Sequence, residues 1–373
     1  MCSKAIEKDI SACGLCGIIN EEGFSIDGET VLRFISAMNE RGNGLGAGFA
    51  GYGIYPEYRN YYALHLMYYH HRSRETVEQL IDENFEMEVS ERIPTKRVIS
   101  INNPPELWRY FLKPKNCPDM MGDELVVNFV TYVNAFVDGA FVMSSGKNMG
   151  VFKAVGSPKD VGEFYRIDEY EGYMWLAHTR FPTNTPGWWG GAHPFNLLDF
   201  SVVHNGELSS YGTNRRYVEN FGYKCSLLTD SEVLVYLADL LTRRHKLPIH
   251  IAAFALAPPF WEQISQLPKK ERELLKAIRL TYGSALANGP FTMILGFSGG
   301  MIGLSDRIKL RPLVAARKNS TLYLASEEAA IREICEKPEK IWRPVAGKPV
   351  ICLLRRKLNV ELYPARIHYQ MEC

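Results

Sequence analysis

Apolar positions along this chain recur with two different spacings, and the change from one to the other marks the elements. Ile18 and Ile19 behind Gly17 predict a short buried strand, closed by a turn at Asn20-Glu21-Glu22-Gly23. From Glu29 to Arg41 the apolar residues Val31, Leu32, Phe34, Ile35 and Met38 fall at helical spacing, and Gly42 supplies a stop. The glycine-rich stretch from Arg41 to Tyr55 then passes into a strand. Residues 60–168 carry a pattern of their own. Strands are expected at Tyr62–Tyr69, Phe85–Val89, Val98–Ile101, Ala140–Ser144 and Val151–Val155, and helices at Arg74–Glu83, Pro104–Leu112 and Asp123–Val137. This reads as an inserted α/β subdomain at about 65–165. Strands resume at Tyr173, and helices follow at Ser231–Thr242, Ile249–Ala255 and Lys270–Thr281. The last part is rich in short strands joined by Gly-Gly and Lys-Asn turns, the mark of an antiparallel sheet. The pattern alone supports an α+β fold.

Composition narrows the function classes. Lys plus Arg total 43 and Asp plus Glu total 42, a formal net charge of +1, with 46% hydrophobic and 23% charged residues. That balance argues against disorder and against a nucleic-acid partner held by charge. The apolar run Ile251–Phe260 is too short to span a membrane and contains Pro258-Pro259, so no membrane partner is expected. The opening residues MCSKAIEKDISA carry no apolar signal core. Eight irregularly spaced cysteines do not form the pattern of a disulfide scaffold. A cytoplasmic, globular protein is expected.

Candidate chemistry lies in a few islands: Cys13-Gly14-Leu15-Cys16-Gly17-Ile18, Arg41-Gly42, His178-Thr179-Arg180-Phe181-Pro182-Thr183, Ala192-His193-Pro194, His204-Asn205-Gly206 and Thr229-Asp230-Ser231-Glu232. In order and spacing they resemble the class II glutamine amidotransferase domain, the type with an N-terminal nucleophile. Four residues separate Gly42 from Ala47, where many members have three. Gly289-Pro290-Phe291, Ser305-Asp306-Arg307, Leu310-Arg311-Pro312-Leu313 and Ala325-Ser326-Glu327-Glu328 resemble the closing strands of the amidotransferase domain of glutamate synthase. The resemblance implies a four-layer αββα sandwich over 13–355, interrupted by the insertion, with residues 1–12 as a removable propeptide and 356–373 as a C-terminal extension.

The residues supply what glutamine hydrolysis needs. A cysteine thiol is the strongest nucleophile near neutral pH, and an N-terminal Cys13 would carry its own amine as a base. Cys16 is the rival nucleophile. Cys13 is preferred because it leaves Gly17 in the register Cys-Gly-x-x-Gly, with Cys16 as a core thiol. The Asn205 amide and the Gly206 N–H suit an oxyanion hole. Arg180, a guanidinium at the end of an apolar strand, would hold the glutamine α-carboxylate, supported by Thr183 or Thr179. Asp230 would accept from the α-ammonium, or else cap the helix it precedes. Arg41 and His178 would support the site, with His193 and His204 as structural hydrogen-bonders. Trp188-Trp189-Gly190-Gly191 would form part of a flap. No metal site is expected, since no histidine pair has the i, i+4 spacing and the Cys13-x-x-Cys16 pair lacks a second half.

By resemblance, the chain would be a stand-alone amidotransferase subunit of an archaeal-type glutamate synthase. Its partners would be glutamine and a synthase subunit that consumes the ammonia. No cofactor is expected in this chain; FMN, iron–sulfur clusters and nicotinamide would belong to partner subunits. Three alternatives remain open: an amidotransferase for another acceptor, such as an N-methylglutamate-synthase-type or purine-pathway enzyme; a catalytically silent regulatory or scaffold subunit; and a redox or metal-binding C-x-x-C protein.

Overall fold

The structure is a computed structural model that describes residues 12–115, 118, 121–181 and 187–355. All but the last residue of the expected propeptide, the whole expected C-terminal extension and Thr183 lie outside the described residues.

Two antiparallel sheets pack face to face. The larger has seven strands in the order β17 (Lys340–Trp342), β15 (Val314–Lys318), β16 (Thr321–Ala325), β1 (Gly14–Asn20), β10 (Met174–Thr179), β3 (Ala47–Tyr52), β8 (Met149–Ala154). The smaller has five: β11 (Phe195–Leu197), β12 (Phe200–Gly206), β13 (Phe291–Phe297), β14 (Gly300–Ser305), β18 (Val350–Leu353). A two-stranded ribbon joins β2 (Ile26–Asp27) to β9 (Glu171–Gly172).

Strand periodicity explains the layering. Along β1, Leu15 and Ile19 point into the space between the sheets, where they meet Leu176, Val203, Ile294 and Met301. Cys16 and Ile18 point the other way, into a second core with Val31, Phe34 and Ile35 of α1 (Gly28–Ser36). Both faces are buried, so the strand reads as a continuous apolar run rather than an alternating one. Gly17 faces the other sheet at close range; a β-carbon there would lie 2.6 Å from the Met301 sulfur. Helix α1 and α10 (Glu328–Ile334) cover the seven-stranded sheet together with α4 (Pro158–Phe164). On the outside of the five-stranded sheet, α6 (Asp230–Asp239) lies on β11 and β12 and packs with α5 (Tyr211–Glu219). Further helices in that half are α7 (Ile249–Leu256), α8 (Trp261–Ser265) and α9 (Lys269–Thr281). The expected α+β fold, two sheets between helix layers, is the fold found.

The insertion differs from its expected extent. Its sheet, in the order β5 (Phe85–Arg92), β6 (Glu106–Pro114), β4 (Tyr62–Tyr68), β7 (Ala140–Ser144), is accompanied by α2 (His71–Asn84) and α3 (Gly122–Phe136). The expected end at about 165 is too late, because β8 pairs with β3 and α4 packs on the same sheet. The helix expected at Pro104–Leu112 is instead the strand β6, paired on both sides. Its short aromatic run carries no decisive period, and two neighbouring strands decide the outcome. Val98–Ile101 closes a turn, with the Ile101 N–H donating to the Val98 carbonyl at 3.2 Å.

Candidate active site

Three strand ends converge on Cys13. The antiparallel register of β1 and β10 places Gly14 opposite Thr179, which brings the end of the His178-Thr179-Arg180 segment to the start of β1. The end of β12, Asn205-Gly206, crosses from the other sheet, and the Asn205 Nδ2 donates to the Cys13 carbonyl at 2.9 Å. Arg41 Nε donates to the same carbonyl at 3.1 Å, while its Nη1 pairs with Glu327 at 2.7 Å. The Phe181 N–H donates to Cys13 Sγ at 3.2 Å. Burial pushes the Cys13 thiol up, and the Phe181 N–H together with the positive charges of Arg180 and Arg311 counters only part of that rise. Cys16 has no such surroundings. It is fully buried among apolar side chains, and burial pushes its thiol well above the ordinary range.

Arg180 is buried at the end of β10, with its backbone tied to Gly46 at 2.8 Å. Its charge and the Cys13 thiol act on each other, favouring the guanidinium cation and the thiolate. Thr179 is buried against the loop after Arg41: a β-carbon on Gly42 would meet its Oγ1 at 2.1 Å. Asp230 opens α6, yet Thr229 is the capping residue, its Oγ1 accepting from the Ser231 N–H at 3.4 Å. The Asp230 carboxylate accepts from the Leu208 N–H at 2.9 Å and so ties the helix start to the segment just beyond Gly206. Trp189 is buried against Phe164, and Trp188 packs edge-on against Phe141, so both indoles anchor their segment.

The three histidines form one buried cluster behind these groups. His178 stacks on His193 with ring centroids 4.1 Å apart. His178 Nε2 lies 3.0 Å from the His204 carbonyl, an acceptor, so this nitrogen carries the proton. His193 Nε2 and His204 Nδ1 share the Ser231 hydroxyl at 2.8 and 3.1 Å. Burial disfavours the charged form of all three, holding His178 down to about 3. Such neutral rings brace the ends of β10 and β12 against α6. Among the described residues, no group of His, Cys, Asp and Glu side chains is arranged to hold a metal ion.

Ser231 and Lys153 are absent from the expected site. Ser231 falls within an island already singled out, and its sharing by two histidines is visible only in three dimensions. Lys153 carries a signal in the sequence, a lone charge in an otherwise apolar strand. It is fully buried, with Nζ donating to the Gly190 carbonyl at 2.9 Å and the Pro194 carbonyl at 3.3 Å, between the rings of Phe141 and Phe195. Burial, reinforced by Arg180, lowers its pKa to about 7. The unfolded chain therefore binds a proton here that the native chain lacks between about pH 7 and about pH 10. Native stability should rise across that window by about 1.4 kcal/mol per pH unit from this group. Glu232, raised to about 7 by burial, titrates below the same window and does not oppose the effect. Denaturant midpoints of wild type and Lys153→Met, compared at pH 7.5 and pH 9.5, should show wild type gaining on the variant as pH rises. A constant difference would show that the lysine is protonated throughout.

Comparison with known proteins gives this site its family. The family model described as glutamine amidotransferases class-II matches residues 130–343, more than half of the chain. The match spans His178–Arg180, Asn205-Gly206 and Asp230 and leaves Cys13 outside, so the place of Cys13 rests on the strand register and the Asn205 bond. An uncharacterized protein of Archaeoglobus fulgidus is 47% identical over 357 residues, covering 94% of each chain. The glutamine amidotransferase-like protein GlxB of Rhizobium meliloti is 27% identical over 205 residues, 54% of this chain and 59% of that one. Among solved structures, a glutamine phosphoribosylpyrophosphate amidotransferase from B. subtilis aligns with 14% identity and a TM-score of 0.46, over 91% of this chain and 47% of that one. This chain thus spans about half the length of that enzyme. On the span of the family match, the chain belongs to the class II glutamine amidotransferases.

Proposed function

We propose that this chain hydrolyses glutamine to glutamate and ammonia through a γ-glutamyl thioester on Cys13, and that it passes the ammonia to a separate synthase chain. The observation that carries the reading is the meeting of Cys13 with Asn205-Gly206 and Arg180 at three strand ends. In the first step Cys13 Sγ bonds to the amide carbon, and the oxyanion takes hydrogen bonds from Asn205 Nδ2 and the Gly206 N–H. The thiol proton goes to the departing amine, the C–N bond breaks and ammonia leaves. Water then attacks the thioester, releasing glutamate and restoring the thiol. Arg180 would grip the α-carboxylate and Asp230 the α-ammonium, with Thr179 and Thr183 as support for the carboxylate.

The proton needs a carrier. The nitrogen of Cys13 sits in a peptide bond to Ala12, where it cannot accept a proton. Removal of residues 1–12 would free it as an amine with a pKa of about 8, suited to work as a base near neutral pH. The glutamate-synthase-like segments at Gly289–Phe291 and Ser305–Leu313 favour 2-oxoglutarate as the final acceptor, reduced on a partner that holds FMN, iron–sulfur clusters and a nicotinamide site.

Intact-mass measurement with and without a glutamine-analogue electrophile tests this reading. The expected product is a chain beginning at Cys13 with one adduct on that residue, and glutamine in excess should slow the labelling. An uncut chain that takes no label would overturn it.

A further inference from the structure

Three surface segments on the five-stranded-sheet side meet close to the Asn205-Gly206 strand end. They are residues 259–262, 306–311 and 343–348. Lys309 Nζ donates to the Pro344 carbonyl at 2.5 Å, and the Gly347 N–H donates to the Asp306 carbonyl at 3.1 Å. Arg307 lies over the Phe260 ring at 4.5 Å. Arg279 of α9 lies over Trp261 at 4.2 Å and donates to the Pro259 carbonyl at 2.7 Å.

These segments expose large apolar side chains together. Ile308, Leu310 and Val345 are 61%, 56% and 61% exposed, and Phe260 and Trp261 are 38% and 47% exposed. Large apolar side chains exposed together on segments joined in this way mark an interaction surface. Its rim is basic. Arg307 disfavours the charge of Arg279, Arg343 disfavours that of Lys309, and Lys348 is exposed on the same segments. Glu262 is the exposed carboxylate on the same segments. Asp306 is buried, and its carboxylate accepts from the N–H groups of Phe291, Ile308 and Leu310. Aromatic and arginine anchors with a charged rim are the composition of a protein-binding face.

The patch is wired to the active site. Phe291, held by Asp306, is the strand partner of Gly206. Thr292, the strand partner of Asn205, donates to the Arg311 carbonyl at 3.1 Å. The loop 306–311 is thus one hydrogen bond away from the strand that pairs with the proposed oxyanion donors.

We propose that this apolar, basic-rimmed face docks the ammonia-consuming synthase chain, through a partner surface of apolar side chains ringed by Asp and Glu. The inference rests on the amidotransferase reading above. Docking here would place the consumer of ammonia beside the strand end where ammonia is released, and the rim would make association depend on salt.

The test pairs two variants, Ile308→Glu/Leu310→Glu and Lys309→Glu/Arg343→Glu, with wild type and the purified flavin-containing synthase chain. Sedimentation velocity reads binding at 50 and 300 mM salt, and glutaminase activity is read without the partner. Both variants should lose at least about tenfold in partner affinity. The charge-reversed variant should also lose most of its salt dependence, while glutaminase activity stays within about twofold. Unchanged affinity in both variants overturns the surface and leaves the glutaminase reading standing. Absent glutaminase activity in wild type overturns that reading, and the binding data still judge the surface. Self-association of wild type that the variants lose would assign the face to a second copy of this chain and overturn the proposal.

Discussion

Alanine at position 13 is expected to remove glutaminase activity by about a thousandfold or more, whereas alanine at position 16 is expected to leave kcat within about threefold. The two cysteines are three residues apart, and burial raises both thiols, but their polar surroundings differ. Strand geometry turns Cys16 into the core beneath α1, opposite Ala177 and Ala325, away from the other sheet. There burial raises its thiol pKa, with a backbone bond to Ala177 as the counteracting contact. A thiol with almost no thiolate and no access to water cannot attack an amide. Cys13 sits just before the strand, where burial still raises the thiol but is countered in part by the Phe181 N–H and by the charges of Arg180 and Arg311. Its carbonyl is fixed by Asn205 and Arg41, and its sulfur accepts from the Phe181 N–H, so the residue is held at the strand end. Loss of the Cys16 sulfur should cost about 1 kcal/mol of stability through the small cavity it leaves. Steady-state kcat and thermal midpoints of both variants check the contrast. A Cys13→Ala enzyme that keeps glutaminase activity, beside a Cys16→Ala enzyme that loses it, would move the nucleophile and overturn the mechanism.

The same two cysteines show what can be read without coordinates. The apolar Ile18 and Ile19 behind Gly17 predict a buried strand, and continued back to Cys13 a strand puts Cys13 and Cys16 on opposite faces. The converging islands at His178–Arg180 and Asn205-Gly206 were legible as residue types. Their contact with Cys13 depends on a pairing 165 residues apart in sequence, Gly14 with Thr179, which periodicity does not encode. The alternative reading of Asp230 as the cap of α6 falls to Thr229, since both residue types favour helix starts and the sequence alone does not choose between them. The sharing of Ser231 by His193 and His204 brings together segments 38 and 27 residues apart, so spacing carried no trace of it. The insertion was seen as foreign to the rest, but its end was not, since β8 has the same apolar character whether it pairs with β7 or with β3. β6 was misread because an aromatic strand with arginine in it matches a short amphipathic helix as well as a strand.

Gly206→Ala should damage both stability and catalysis, and the pairing of these losses separates it from any simple removal of a donor. Gly206 holds φ at +140°, a conformation that a side chain strains. A β-carbon there would lie 1.9 Å from the Pro290 carbonyl oxygen and 2.8 Å from the Phe291 Cα. Neither neighbour is a flexible side chain, and Phe291 is fixed both by its pairing with Gly206 and by Asp306. The end of β12 must therefore move by about 1 Å, a displacement that by itself can cost about a hundredfold in rate. Asn205 shares that strand end and moves with it, which withdraws its Nδ2 from the position now fixed 2.9 Å from the Cys13 carbonyl. The expected result is a kcat about a hundredfold to a thousandfold lower together with a stability loss of about 3 kcal/mol. Asn205→Ala, which removes one donor and leaves the backbone in place, should show a similar fall in kcat with a much smaller shift in thermal midpoint. Activity is to be measured well below both midpoints, so that the folded population is the same in each sample. A Gly206→Ala enzyme that matches wild type in midpoint and in kcat would show that the Pro290 carbonyl yields freely and that this strand end does not form the oxyanion site.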